Sequence, residues 1–160
     1  SQNLAKTVIE GIEAGGRIDF RGVLERFSLD GSLYLARGEN RENGQSLNSV
    51  GPGQAVIGAT WKGSSADRRI RLQATLTDGW DDRDESGGDL FKPAGHAVFD
   101  LYYTQRIAER TTFRAGVLNL TDKTYWNWSD IRGLSPTDPV MPFLAQPGRN
   151  VSASINFSWQ

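Results

Sequence analysis

The final stretch of this chain alternates without a break. Val151, Ala153, Ile155, Phe157 and Trp159 fall on one face, and Ser152, Ser154, Asn156 and Ser158 on the other. Successive side chains of a strand point to opposite sides, so this period of two predicts a strand with one apolar and one wet face. The same alternation, clean or partial, predicts seven strands, over residues 5–20, 23–38, 54–62, 68–77, 96–107, 111–120 and 150–159. In the second, Phe27, Leu29, Leu33 and Leu35 oppose Ser28, Asp30, Ser32 and Tyr34. In the fourth, Ile70, Leu72, Ala74 and Leu76 oppose Arg69, Arg71, Gln73 and Thr75, and in the fifth Ala97, Phe99, Leu101 and Tyr103 oppose Asp100 and Thr104.

The connections between these strands alternate short and long, at residues 21–22, 39–53, 63–67, 78–95, 108–110 and 121–149. In an antiparallel meander that places every long loop at one end and every tight turn at the other, the asymmetry of an outer-membrane barrel. The predicted fold is therefore all-β, a transmembrane antiparallel up-and-down β-barrel with its C-terminus on the periplasmic, short-turn side. The first two strands, at about sixteen residues, exceed the roughly 9–11 that cross the hydrocarbon and would project beyond it. Seven strands left open would present two bare edges to lipid, where unpaired backbone groups are costly. The expectation is thus a segment of a longer chain with further strands upstream, and residues 1–6 show neither an initiator Met nor an apolar signal core.

Composition is neutral toward this reading. A net charge of −1, 38% hydrophobic residues and 23% charged ones resemble a soluble domain, but alternating strands hide from windowed hydropathy. The absence of Cys excludes disulfides, thiolate metal sites and cysteine catalysis. The near-zero charge offers no basis for a nucleic-acid partner.

Four stretches, spanning nearly the whole chain, resemble the C-terminal part of TonB-dependent outer-membrane receptors, most closely the haem and haemoglobin receptor branch. They are Val8-Ile-Glu-Gly-Ile-Glu13; Ala36-Arg-Gly-Glu-Asn40 with Gln45-Ser-Leu-Asn-Ser-Val-Gly-Pro52; Gly116-Val-Leu-Asn-Leu-Thr-Asp-Lys-Thr-Tyr-Trp126; and Gln146-Pro-Gly-Arg-Asn150 entering the last strand. The first and third types recur across the superfamily, whereas the second, the Tyr-Trp-x-Trp of residues 125–128 and the Pro-Gly-Arg-Asn point to the haem-type branch. The resemblance implies that residues 1–160 are about the last seven strands of a twenty-two-stranded barrel. It also implies a plug domain, absent from this chain, whose coupling box contacts TonB. The implied function is import of an iron-bearing ligand, with haem as transported ligand and no tightly bound cofactor. The implied partners are the TonB complex, outer-membrane lipid and, through the C-terminal strand, the barrel-assembly machinery. The family usually terminates on the aromatic itself, whereas here Gln160 follows Trp159.

The family's haem-ligand histidines map to no residue of this chain. Its only histidine, His96, follows the long loop at the rim and is a candidate axial ligand or substrate contact, weighed against a solvated rim histidine. Trp128 and Phe143 in the longest loop are ligand-contact candidates, able to stack on a planar ligand. Tyr125 and Trp126, which follow their strand immediately, read as interfacial girdle and loop packing. Asp82, Asp84, Ser86 and Gly87 match the first half of a calcium-loop spacing, but the twelfth position is Pro93 and not the required Glu. A solvated loop with no metal is expected. Arg69, Arg71 and Arg114 should face the lumen with Asp19, Asp30 and Asp100.

No Gly-x-Ser-x-Gly, Gly-x-Gly-x-x-Gly or Gly-Lys-Ser/Thr motif occurs, so an enzyme is not expected. Two alternatives remain. One is a receptor of the same scaffold for a siderophore, vitamin or glycan; the other, of a different class, is a soluble β-sandwich carbohydrate-binding module.

Overall fold

In the computed structural model, which describes residues 6–64, 67–81, 84, 86 and 88–159, the chain forms a single antiparallel sheet. Its strands are β1 (Thr7–Asp19), β2 (Phe27–Asn40), β3 (Gln45–Ser46), β4 (Gln54–Lys62), β5 (Arg68–Thr77), β6 (His96–Ala108), β7 (Thr111–Leu118) and β8 (Asn150–Phe157). The spatial order is β1-β2-β4-β5-β6-β7-β8, with two-residue β3 paired to the end of β2. Each long strand pairs with the next in sequence, as an up-and-down meander requires, and β1 and β8 form the edges of an open sheet. A β-sandwich needs a second sheet packed about 10 Å away, and the described residues form one sheet only.

Register turns the alternation of single strands into rows that cross all seven. Ile18, Leu29, Ala59, Leu72, Leu101, Val117 and Val151 lie side by side on one face. One residue away, Asp19, Ser28, Thr60, Arg71, Tyr102, Gly116 and Ser152 form the matching row on the other. Burial is inverted relative to a water-soluble sheet: Ser28 is 1% exposed, whereas Leu29 is 41% and Val151 75% exposed. The apolar rows thus form one broad exposed surface, and a patch of that extent on a sheet needs a non-aqueous neighbour.

Few of the described hydrophobic side chains are fully buried, and most of those lie outside the strands. Trp80, Ile131 and Met141 belong to the loops, and Val98 alone lies on the polar face of a strand. The core therefore sits at the loop end.

The structure moves several predicted boundaries. The second strand begins at Phe27 and not at residue 23, because Gly22, with φ +68°, opens a 3-10 turn over Gly22–Leu24 and lengthens the first connection. At its far end β2 runs on to Asn40, and the loop after it contains β3. The β7 strand stops at Leu118 because Asn119 takes a left-handed φ of +52°, uncommon outside glycine but tolerated by Asn. Trp159, expected in the closing strand, lies beyond it: Phe157 pairs with Thr111, the first residue of β7, so no partner residue remains for Trp159. Residue 5, the expected start of the first strand, lies outside the described residues.

Candidate functional site

On the inner, polar face the guanidinium of Arg71 reaches across β4 to Asp30 on β2. Its Nη1 and Nη2 donate to Oδ1 and Oδ2 of Asp30 at 2.5 and 2.8 Å, a two-pronged contact whose partners are each just over one quarter exposed. The strand it crosses makes room with Gly58, where an added Cβ would fall 2.2 Å from Arg71 Nη2. Thr60 and Gln73 accept further bonds from the same guanidinium. Arg17 bonds Asp19 and the buried Ser28. Arg71 thus shares the polar face with Asp19, Asp30 and Asp100, as alternation predicted, and the register puts Arg69 and Arg114 there too.

Above these groups an inner-face cavity of about 280 Å³ is lined by Thr77, His96, Asp100, Tyr102 and Asn150 and roofed by Tyr125. His96 begins β6, and its ring lies 4.7 Å from that of Tyr125, tilted by 34°. Its Nδ1 is 3.4 Å from the Ala94 carbonyl. Burial, followed by the nearby Asp100 charge, raises the Tyr125 phenol above its ordinary range. Asp100 joins the wall to the base of the longest loop, accepting from the Asn119 N–H through Oδ1 (2.8 Å) and from the Tyr102 hydroxyl through Oδ2 (3.2 Å). A larger open groove, about 920 Å³, lies where β2 outruns β4; five of the residues lining it are glycines.

The longest loop is clasped at its base by the two motifs that open and close it. Asn119, 2% exposed, donates through Nδ2 to the Lys123 and Pro147 carbonyls and accepts the Lys123 N–H. Asp122 accepts the Arg149 N–H at 2.7 Å, an approach that only a glycine at 148 permits, since a Cβ there would lie 2.6 Å from Asp122 Oδ1. Beyond the clasp, three loops fold together. Trp80 donates its indole N–H to the Val50 carbonyl and meets Trp128 edge-on at 5.6 Å. Asn48 and Asp84 exchange two hydrogen bonds, at 2.8 and 2.9 Å. Phe91 packs edge-on against Trp126, whose N–H bonds the Met141 carbonyl.

Among the candidates from sequence, Trp128 opens the short helix α1 (Trp128–Ile131) and lies over Gly51, with the Arg132 guanidinium 5.3 Å from its ring. Its buried indole N–H has no acceptor among the described residues. Phe143 stands out from a 3-10 turn, 84% exposed. Tyr125 and Trp126 are half-buried, and Val151, Ala153, Ile155 and Phe157 lie exposed along β8. Of the calcium-like spacing, Asp82 and Gly87 fall outside the described residues. Asp84 is occupied with the loop itself, its carboxyl held below the usual range by hydrogen bonds from Ser86. Reading the sequence missed Trp80, which lies among carboxylates that drew attention to charge, and Gly58, whose role depends on residues 28 positions before it and 13 after it.

Stacking surfaces, hydroxyls, amides and one imidazole equip this end of the sheet to hold a ligand noncovalently. Comparison with known proteins bears on the family and the fold. A sequence model described as TonB dependent receptor-like, beta-barrel, matches residues 1–120. Two curated relatives, each named hemoglobin-haptoglobin utilization protein B, come from Neisseria meningitidis serogroup C and from a serogroup A strain. Each is 26% identical over 97% of this chain, which spans only 22% of their length. Among solved structures, the copper transporter OprC superposes with a TM-score of 0.81 at 24% identity, covering 96% of this chain and 24% of its own. A ferric enterobactin receptor from Pseudomonas aeruginosa gives 0.72 at 21%, covering 98% and 23%. At these identities the structural likenesses establish the barrel fold alone.

Proposed function

The chain belongs to the TonB-dependent receptor-like β-barrel family, whose members are outer-membrane transport receptors, and from that premise we propose that it serves import of an iron-bearing ligand, haem or haemoglobin. The observation that carries the ligand class is the match of 97% of the chain to relatives named for haemoglobin-haptoglobin utilization. On this reading residues 1–160 form the last seven strands of a twenty-two-stranded barrel, with the turns and the C-terminus periplasmic. TonB acts through a plug supplied by the rest of the receptor, and β8 serves the assembly machinery. The exposed Phe143 meets the ligand, while His96 and Tyr125 line its path at the rim and Trp128 shapes the loops from within.

The test is growth of an iron-starved strain lacking the receptor, complemented with the wild-type or the Phe143→Ala gene, on haemoglobin, on haemin or on a ferric siderophore. Growth on haemoglobin and haemin, and several-fold weaker haemoglobin capture by the variant, are expected. Rescue by the siderophore alone would move the receptor to another ligand class of the same scaffold.

A further inference from the structure

Hydrogen bonds link the three connections at the turn end into one rim. The Lys62 N–H donates to the Arg26 carbonyl (2.8 Å), the Arg106 N–H to the Asp67 carbonyl (2.8 Å) and the Ser158 N–H to the Arg110 carbonyl (3.0 Å). Over residues 19–27, 62–69 and 106–110 the sequence carries seven Arg and Lys against four Asp and Glu. The three long loops at the opposite end carry six against eleven. Asp19 and Asp67 take up Arg17, Lys62 and Arg106. Arg21, Arg26, Arg68 and Arg110 are exposed, and none makes an ion pair or a side-chain hydrogen bond with another described residue.

Beside these turns the outward face is aromatic. Phe27, Trp61 and Tyr103 follow one another across the sheet through Ile70, Phe113 packs edge-on against Tyr103, and Phe157, 63% exposed, ends the band. Leu24 and Ile107, 50% and 61% exposed, extend it to the turns themselves. Aromatic rings favour the headgroup level of a bilayer, and an arginine stem can run along apolar surface while its guanidinium reaches a phosphate in two-pronged geometry. The four groups are distributed over three successive turns instead of converging on one point. Their arrangement fits a charged surface better than a single small anion.

We propose that the turn-end rim selects anionic phospholipid headgroups, of the phosphatidylglycerol or cardiolipin class, over neutral ones in the adjoining leaflet. Arg21, Arg26, Arg68 and Arg110 hold the phosphates while the aromatic band fixes the depth. This rests on the membrane placement proposed above. The test uses the whole receptor in nanodiscs of phosphatidylcholine containing a minor fraction of phosphatidylglycerol. Insertion is read by heat-modified gel mobility, and co-purifying lipid by mass spectrometry. Enrichment of the anionic lipid by about three- to tenfold is expected around the wild type. It should fall to the bulk ratio when all four arginines are changed to Gln, persist when they are changed to Lys, and stay unchanged in the loop-end control Arg41→Gln/Arg149→Gln. Should the Gln set fail to insert, Arg68→Gln alone carries the test through a partial loss. An inserted receptor without enrichment, or enrichment kept by an inserted Gln variant, overturns lipid selection and leaves the membrane placement standing. A wild-type receptor that enters no bilayer overturns the placement itself.

Discussion

Leu72 and Arg71 are neighbours in β5, yet each belongs to a row that crosses the whole sheet under opposite rules. The row through Leu72 is aliphatic on all seven strands and exposed at Ile18, Leu29, Leu72, Leu101 and Val151, whereas the row through Arg71 is polar or glycine throughout and includes the buried Ser28. In water the cheaper arrangement is the reverse, because exposed apolar area costs about 25 cal/mol per Å². The difference is the one expected where the two faces meet different solvents, hydrocarbon outside and, inside, a polar lumen whose side chains bond one another.

The largest expected effect separates the faces at adjacent aliphatic positions. Ile57 is 51% exposed on the outer face, while Val56 lies beside Ser32 and Thr75 on the inner one. Ile57→Arg should cost about 2–4 kcal/mol near the bilayer midplane, and Val56→Arg less than about 1 kcal/mol. Urea midpoints of the receptor refolded in vesicles measure both. Equal tolerance of the two changes would mean that water, and not lipid, covers the outer face.

Much of this contrast was legible from residue order alone. Side-chain direction has a period of two, so Leu29, Leu72 and Leu101 could be assigned to one face before any pairing was known, and loop lengths indicated the two ends. What alternation within one strand cannot carry is proximity between strands. Gly58 reads as an ordinary weak point of β4 until register places it between Asp30 and Gln73, under the guanidinium of Arg71. The loops were opaque for a related reason: Trp80, Trp128 and Val50 meet only after three connections fold over one another. Asn119 and Asp122 belong to a stretch that resembles the family, but their bonds to Pro147 and Arg149 join residues 28 and 27 positions apart, a proximity that no sequence pattern carries.

A smaller effect tests whether the inner row is a set of independent polar contacts or one linked through the Gly58 gap. Gly58→Ala displaces the Arg71 side chain and leaves the backbone in place, because the clash is with the far end of a flexible chain. The loss is then that of the Asp30 pair, about 1–3 kcal/mol once its partial exposure is allowed for. A double-mutant cycle with Arg71→Met should show strong non-additivity, Gly58→Ala costing little once the guanidinium is gone. Additive costs would mean that Gly58 serves the strand backbone instead.

The smallest effect concerns where the inner row passes into the loops. Tyr102 donates to Asp100 Oδ2, while Asp100 Oδ1 holds the Asn119 N–H at the base of the longest loop. Tyr102→Phe keeps the ring and removes one bond to a charged acceptor that water in the lumen can partly replace. The cost should therefore stay near the low end, about 0.5–1.5 kcal/mol. Because the carboxylate is shared, part of that cost should appear at Asn119, as faster amide hydrogen exchange by about two- to tenfold. Exchange at Leu72, on the outer row, should not change. Acceleration confined to Asn119 and its clasp would show the polar face and the long loops to be mechanically continuous, and an unchanged Asn119 would show the inner row ending at the rim.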